Sequence, residues 1–386
     1  MIARLRPEVS YTELWKALFT PVAEDQRREA FTAAITRKLE LESAPVVTPS
    51  GRAALYYLLV SHPLRTVYLP AYTCWVVREA AELAGKRIEF LDIEYPGFDV
   101  SEVAYERIRR LPGIVVATHQ FGFPVDMVRI LKILEGQGHF VIEDCAGALF
   151  SRLRGRLVGT LGDAAVYSFE VGKLWSVGGG ALTCRDPEVR ERVKRRIEQE
   201  MQPIQARRVT TRILFRKLAT EPIVYRGLLA LYLSCRAPTE GARPSADELY
   251  DAYNIAFSEP QARLGLLVGK RIREIAARRR ELFNFYRQAT ADMARVQAIR
   301  MLPESDVCPI RFPFLVSEKD KLRIYESMRA KGIDLGFSFS YALADDARFP
   351  GAAKMGREIM NLPIYSRVNR PSAEFIVTAL SETLTT

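Results

Sequence analysis

Residues 157–182 read LVGTLGDAAVYSFEVGKLWSVGGGAL. An apolar run, Ala164–Phe169, closes on Tyr167-Ser168-Phe169. A single lysine, Lys173, follows it. Gly178-Gly179-Gly180 then leads into a second apolar run, Ala181–Cys184. Both runs have strand length and β-rich composition. Only a loop separates them, too little chain for a crossover between parallel neighbours, so one of the two is open to an antiparallel place in its sheet.

Outward from this stretch the pattern is regular. Further strand candidates are Val46–Thr48, Val67–Leu69, Ile88–Ile93, Ile114–His119 and Phe140–Asp144, and helical runs follow Gly51, Thr73, Ser101 and Pro124. Apolar strands alternating with helices predict an α/β fold, a mostly parallel seven-stranded sheet flanked by helices. Residues 1–45 read as an N-terminal helical arm and 46–258 as a large domain with a basic helical insert at about 200–250. Residues 259–386 read as a smaller C-terminal α+β domain. In that last part the pattern predicts one long helix over Glu259–Thr290, a strand over Ile310–Val316, and helices over Lys319–Lys331 and Pro371–Leu384.

The 386 residues are 48% hydrophobic and 26% charged, ordinary for a chain that buries a core. The net charge of +10 suits anionic ligands. The clusters Lys194-Arg195-Arg196 and Arg278-Arg279-Arg280 fall in helical stretches without any nucleic-acid signature, so no nucleic-acid partner is expected. Five cysteines with no C-x-x-C and three scattered histidines argue against a disulfide framework or a metal site, and fit a reducing cytoplasm. Met1–Arg6 meets Pro7 and Glu8 without an apolar core of signal-peptide length. The stretch 212–235 mixes apolar and basic residues around Pro222. It reads either as a packed helical pair or dimer contact, or as a peripheral membrane contact.

Chemistry concentrates at the carboxyl ends of the strands, where ligands bind in open α/β sheets. Asp144 ends Phe140–Asp144, and Lys173 follows Ser168. Pyridoxal chemistry needs a lysine amine for the aldehyde and a carboxylate that keeps the pyridine nitrogen protonated as an electron sink. The same lysine, once released, is placed to move a proton. The phosphate needs a glycine turn opening a helix, which Ser50-Gly51-Arg52-Ala53-Ala54-Leu55 supplies. Each piece alone has an ordinary structural use as a cap, turn or surface lysine. Their order and spacing point to pyridoxal 5'-phosphate.

The chain resembles the DegT/DnrJ/StrS family of sugar aminotransferases, which have the fold-type-I architecture of aspartate aminotransferase. The resemblance is carried by SGRAAL (50–55), LPAYTCWVV (69–77), DIE (92–94), HQFGFPVDM (119–127), VIEDCAGALF (141–150), the stretch 157–182, YNIAFSEPQARLG (253–265) and NLPIYSRV (361–368), in family order. It implies that Lys173 carries the cofactor as a Schiff base and that Asp144 pairs with the ring nitrogen. Gly51, Arg52 and Ser168 would lie at the phosphate. Asn254 would reach that phosphate from the other subunit, which implies a homodimer with shared sites. The implied reaction moves an amino group, from glutamate, to a keto sugar linked to a nucleotide.

Several positions depart from the family pattern. Arg52 replaces the usual Thr, either pairing with phosphate or lying on the helix surface. Cys74 stands where the ring-stacking aromatic usually follows Thr73, leaving Trp75 or His119 to stack. Gly147 replaces a Gln, Ala256 replaces an Arg, and the glycine run carries no acid. The alternatives are a sugar dehydratase of the same fold, in which histidine usually replaces the lysine, and a non-catalytic or regulatory member.

Overall fold

The computed structural model describes residues 1–19, 26–202, 208–235, 252–337, 339–344 and 347–385. Its strands in chain order are β1 (Val46–Thr48), β2 (Thr66–Pro70), β3 (Arg87–Leu91), β4 (Ile114–Thr118), β5 (Phe140–Asp144), β6 (Arg152–Leu153), β7 (Arg156–Leu157), β8 (Ala164–Ser168), β9 (Gly180–Cys184), β10 (Gln297–Ala298), β11 (Ser305–Asp306), β12 (Arg311–Leu315) and β13 (Ile359–Pro363). Seven of them form one sheet in the order β1-β9-β8-β5-β4-β2-β3. The pairs β3–β2, β2–β4, β4–β5 and β5–β8 are parallel. β9 runs antiparallel to both β8 and β1. It is the antiparallel member that the short β8–β9 connection allowed.

Strands β4, β5 and β8 are buried at every residue, as central parallel strands covered on both faces must be. β4 shows how the alternation divides the core. Ile114 and Val116 face the helices Gly51–Ser61, Trp75–Leu83 and Pro187–Glu200. Val115 and Ala117 face the opposite side, where Tyr105 and Ile130 meet Phe312, Leu362 and Ile376 from the C-terminal part. Capping side chains start the helices where polar residues precede apolar runs. Ser50, Ser101 and Asp126 each accept an N–H from the first turn that follows.

The C-terminal part builds a second sheet, β10-β12-β13, beside the helices Glu318–Ala330 and Arg370–Thr385. The first helices of the chain, Tyr11–Phe19 and Gln26–Lys38, bury Leu14, Phe31 and Ile35 in a cluster with Phe169, Trp175 and Leu264.

The long helix expected over Glu259–Thr290 is two helices, Glu259–Gly269 and Ile272–Thr290. At the break Arg271 leaves helical geometry with φ −113° and ψ 12°. Its guanidinium is held by both carboxylate oxygens of Glu13, at 2.8 and 2.9 Å, and by the Glu8 carbonyl at 2.7 Å. A Cβ on Gly269 would lie 3.0 Å from the Trp175 ring. The break therefore comes from contacts with distant segments, which helical periodicity does not carry. Helices Arg208–Ala219 and Pro222–Cys235 fall in the expected insert, of which 203–207 and 236–250 lie outside the described residues. No described helix is long and apolar enough to cross a membrane.

Candidate active site

Parallel strands place their carboxyl ends along one edge of the sheet, and β5 and β8 deliver Asp144 and Ser168 there. The chain then turns through 169–179 before β9. Backbone bonds Phe169 N–H to Gly179 O (2.9 Å) and Gly178 N–H to Phe169 O (2.8 Å) close that loop. Gly172, Gly178 and Gly179 take φ of 91°, 73° and 94°, left-handed values that favour glycine. Trp175 anchors the loop from inside. It is fully buried and donates its indole N–H to Gly265 O at 2.9 Å. Lys173 is thereby held on a short, pinned loop, with its N–H on Glu170 O and its own carbonyl accepting from Ser176 Oγ.

Lys173 retains some accessible surface, yet its ammonium sits among enough protein atoms that burial pulls its pKa below the ordinary lysine value. Cys74 and Asp144 pull the other way, and Arg311 adds to the depression. Asp144 is 6% exposed. Burial raises its pKa, against the Ala146 N–H that it accepts at 3.0 Å and the positive potential of Lys173. Cys74 lies in the same field, its thiol pushed up by burial.

The glycine turn joins this group. A Cβ on Gly51 would lie 2.8 Å from Ser168 Cβ, and one on Gly180 would lie 2.5 Å from Gly51 N. The two turns meet only because neither carries a side chain. Ser50 Oγ caps Ala53 N–H at 3.1 Å, while Gly51 and Arg52 lie in the first turn, whose N–H groups have no carbonyl one turn back. Helix start, Ser168 hydroxyl and Lys173 loop thus form one cradle.

His119 sits behind it. Val125 N–H donates to Nδ1 at 3.1 Å, so Nε2 carries the hydrogen toward Glu143 Oε2, also 3.1 Å away. The His119 side chain has no accessible surface, and no ring face is open for stacking. Trp75 is partly exposed at the start of its helix, with Arg52 Cζ 5.5 Å from its ring centre. Arg52 Nη1 lies 3.4 Å from Glu79 Oε1. Asn254 belongs to a segment that docks beside the glycine turn of its own chain. The neighbouring Ala252 carbonyl accepts from Ser50 Oγ, and Asn254 O accepts from Gln202 N–H at 2.8 Å. At Gly147 a Cβ would meet Phe121 N at 3.3 Å and Ile310 Cδ1 at 3.4 Å, a tight place for the side chain seen there in the family.

Three residues that bear on this site were not singled out in the sequence. They are Arg311 at the head of β12, Glu79, and Tyr341, whose hydroxyl accepts Trp75 N–H at 2.9 Å. Tyr253 lies in the quoted stretch 253–265, but its bond to Glu79 was not legible there.

A family model described as the DegT/DnrJ/EryC1/StrS aminotransferase family matches residues 22–381. The chain belongs to that family. Among the family's relatives, Protein MosB of Rhizobium meliloti is 32% identical over 154 residues, 39% of this chain and 30% of that protein. The dTDP-4-dehydro-2,3,6-trideoxy-D-glucose 4-aminotransferase of Saccharopolyspora spinosa is 23% identical over 354 residues, 88% of this chain and 84% of that one. Against MosB and others of similar identity, the matched stretch spans less than half of the relative's length. The aminotransferase TlmJ from Streptoalloteichus hindustanus superposes with a TM-score of 0.76 at 21% identity, covering 100% of this chain and 99% of that one. The putative sugar aminotransferase Spr1654 from Streptococcus pneumoniae, in its PMP form, gives 0.78 at 15% identity over 100% and 99% of the two chains. Both likenesses carry the fold, which is that of the family's sugar aminotransferases.

Proposed function

We propose that the protein is a pyridoxal-phosphate aminotransferase that moves an amino group, from glutamate, to a keto sugar linked to a nucleotide. One observation carries the reading. Asp144 is a buried carboxylate that accepts a single protein hydrogen bond among the described residues, beside a lysine whose pKa burial has lowered. A buried carboxylate with open lone pairs is set to receive an N–H from a ligand, because leaving them empty is unfavourable. Gly51 lets the helix start approach Ser168, where a Cβ would lie 2.8 Å from Ser168 Cβ, and free first-turn N–H groups beside a hydroxyl and Arg52 suit a phosphate.

When bound, pyridoxal phosphate supplies an aldehyde for amines and a protonated ring that accepts the electron pair left at the substrate carbon. Asp144 would hold a proton on the ring nitrogen by Coulomb attraction. Lys173 is the amine that would hold the aldehyde. Its lowered pKa raises the neutral fraction of its amine near neutral pH, the form that takes up and returns a proton. Trp75 and Cys74 would line the ring's place, and Asn254 would serve the phosphate.

The name of the Saccharopolyspora relative supports a nucleotide-linked keto sugar. On this reading residues 46–258 bind the cofactor and 259–386 form the smaller unit. The exposed apolar side chains Trp15, Phe19, Ile223 and Leu231 form the contact with a second copy, and peripheral membrane contact through 212–235 is the competing use of that surface. Sedimentation with and without anionic vesicles separates the two.

The test of function has two stages. Protein loaded with pyridoxal phosphate is treated with borohydride and digested, and the adduct should map to Lys173. Turnover with glutamate and a panel of keto-sugar nucleotides should release 2-oxoglutarate. An adduct elsewhere overturns the site. Loss of water from the sugar without 2-oxoglutarate would make the protein a dehydratase.

A further inference from the structure

Arg52 stands in the first turn of the helix that opens on Gly51, yet its resting partner is not a backbone group. Its Nη1 lies 3.4 Å from Glu79 Oε1, at the long end of hydrogen bonding. Its Cζ lies 5.5 Å from the Trp75 ring centre. The same Glu79 oxygen accepts the Tyr253 hydroxyl at 2.7 Å. Tyr253 is itself fixed. It is buried, its ring meets Tyr56 edge-on at 5.6 Å, and its carbonyl accepts from Tyr57 Oη at 3.4 Å. Of the two groups on Glu79, the tyrosine is therefore the firm partner and the arginine the loose one.

Arg52 and Glu79 are each about a fifth exposed, so their pairing is only partly screened. A phosphate ester carries about −1.5 to −2 charges at neutral pH, against −1 for a carboxylate. It also matches the planar fork of a guanidinium with two oxygens at once. A phosphate seated on the Gly51–Ser168 turn would outbid Glu79 for Arg52 on both counts.

We infer that Arg52 exchanges Glu79 for the phosphate of the incoming ligand and so supplies the preference for phosphorylated over unphosphorylated ligand, and that Glu79, held in place by Tyr253, is the competing anion that limits it. The inference rests on the cofactor reading above. Glu79 and Tyr253 act through Arg52 and are positioning residues. The arrangement gives a use to the arginine that replaces the family's usual threonine, and it couples the phosphate to the segment carrying Asn254.

The experiment titrates the full-length apoprotein with pyridoxal 5'-phosphate and with pyridoxal, which lacks the phosphate, following tryptophan fluorescence. Borohydride trapping then reports the occupancy of Lys173. Arg52→Thr should weaken the phosphorylated compound about ten- to a hundredfold, the worth of one charged hydrogen-bonded pair, and move pyridoxal less than about twofold. Arg52→Lys, which keeps the charge and loses the fork, should fall between wild type and Arg52→Thr. Glu79→Gln keeps an acceptor for Tyr253 and removes the competing charge. It should tighten pyridoxal phosphate by a few-fold and leave pyridoxal unmoved. If Arg52→Thr shifts both compounds alike, or Glu79→Gln weakens the phosphorylated one, the role of Arg52 is overturned while the cofactor reading stands. If wild type traps neither compound on Lys173, the cofactor reading falls and this inference with it.

Discussion

Glu143 and Asp144 are neighbours at the end of β5, and successive residues of a strand point to opposite faces. Behind the sheet, Glu143 accepts Leu161 and Gly162 N–H on Oε1, both at 2.7 Å. Its Oε2 accepts Gly159 N–H at 2.8 Å and His119 Nε2 at 3.1 Å. Four donors fill all four lone-pair sites of a carboxylate. Burial alone would raise the pKa of Glu143, but these bonds, His119 first, outweigh it and hold it below the ordinary value. On the cradle side Asp144 has one donor, and burial wins. Two carboxylates one residue apart thus have opposite electrostatics. The saturated one holds the scaffold, and the hungry one is available to a ligand. The comparison also disposes of a tempting metal centre. His119, Glu143 and Cys145 offer ligand atoms within 4.8 Å of one another, but Glu143 has no lone pair left for a cation.

The sharpest way to break this comparison is on the cradle side. Lys173→Ala should lose the borohydride adduct and lower turnover by about 10⁴-fold or more, the upper range for removing a proton-transfer group that is also the nucleophile. Peptide mapping and steady-state assay check both. Asp144→Asn should bind the cofactor and melt within about 0.5 kcal/mol of wild type, because the amide still accepts Ala146 N–H and no charge remains buried. Its turnover should nevertheless fall on the order of 10²- to 10³-fold, the size of losing one preorganised electrostatic partner. Turnover near the wild-type rate would remove Asp144 from the ring nitrogen.

Glu143→Ala should do the reverse, lowering stability by about 3 kcal/mol by stranding four buried donors, while a variant kept folded at low temperature retains cofactor binding. The pH dependence has a definite sign. The folded pKa of Glu143 lies below its unfolded value, so its stabilisation is complete above about pH 4.3 and fades as pH falls through the folded value. Thermal melts between pH 6 and 3 should show that loss in wild type and a flatter profile in Glu143→Gln. Asp144 has the opposite shift and gives stability back as it protonates, so Asp144→Asn should steepen the acid slope.

The smallest effect is expected at Asn254. Asn254→Ala should weaken cofactor retention about tenfold, one hydrogen bond to a charged acceptor. A hybrid of Lys173→Ala and Asn254→Ala subunits should recover activity if the amide acts across a dimer, since one site then carries neither defect. Absence of recovery in a verified hybrid would leave Asn254 with its own chain, beside the Ser50 turn where Ala252 is docked.

Much of this was legible in residue order. All seven expected strands of the main sheet are present within a residue or two, because strands of a sheet covered on both faces write themselves as short apolar runs between turn residues. Gly51 packs against Ser168, and Lys173 and Asp144 lie within each other's electrostatic reach, since each is tied to a strand end or to a glycine turn. Other features were not. His119 looked free to stack and is locked by Val125 and Glu143. The helix over Glu259–Thr290 looked continuous and is broken by Arg271 reaching Glu8 and Glu13.

The amino-acid sequence by itself determined which segments become strands, where those strands end and which chemical groups wait there. Those properties are local, set by the alternation of side chains and by glycines that permit a turn. Tertiary structure alone decided which carboxylate is saturated and which is open, and that Arg52 waits on Glu79 with Tyr253 behind it. Arg52 and Glu79 are 27 positions apart, and Glu79 and Tyr253 are 174. Partners at such separations are chosen by how helices and sheet pack, and hydrogen bonding and burial take their values only after that packing exists.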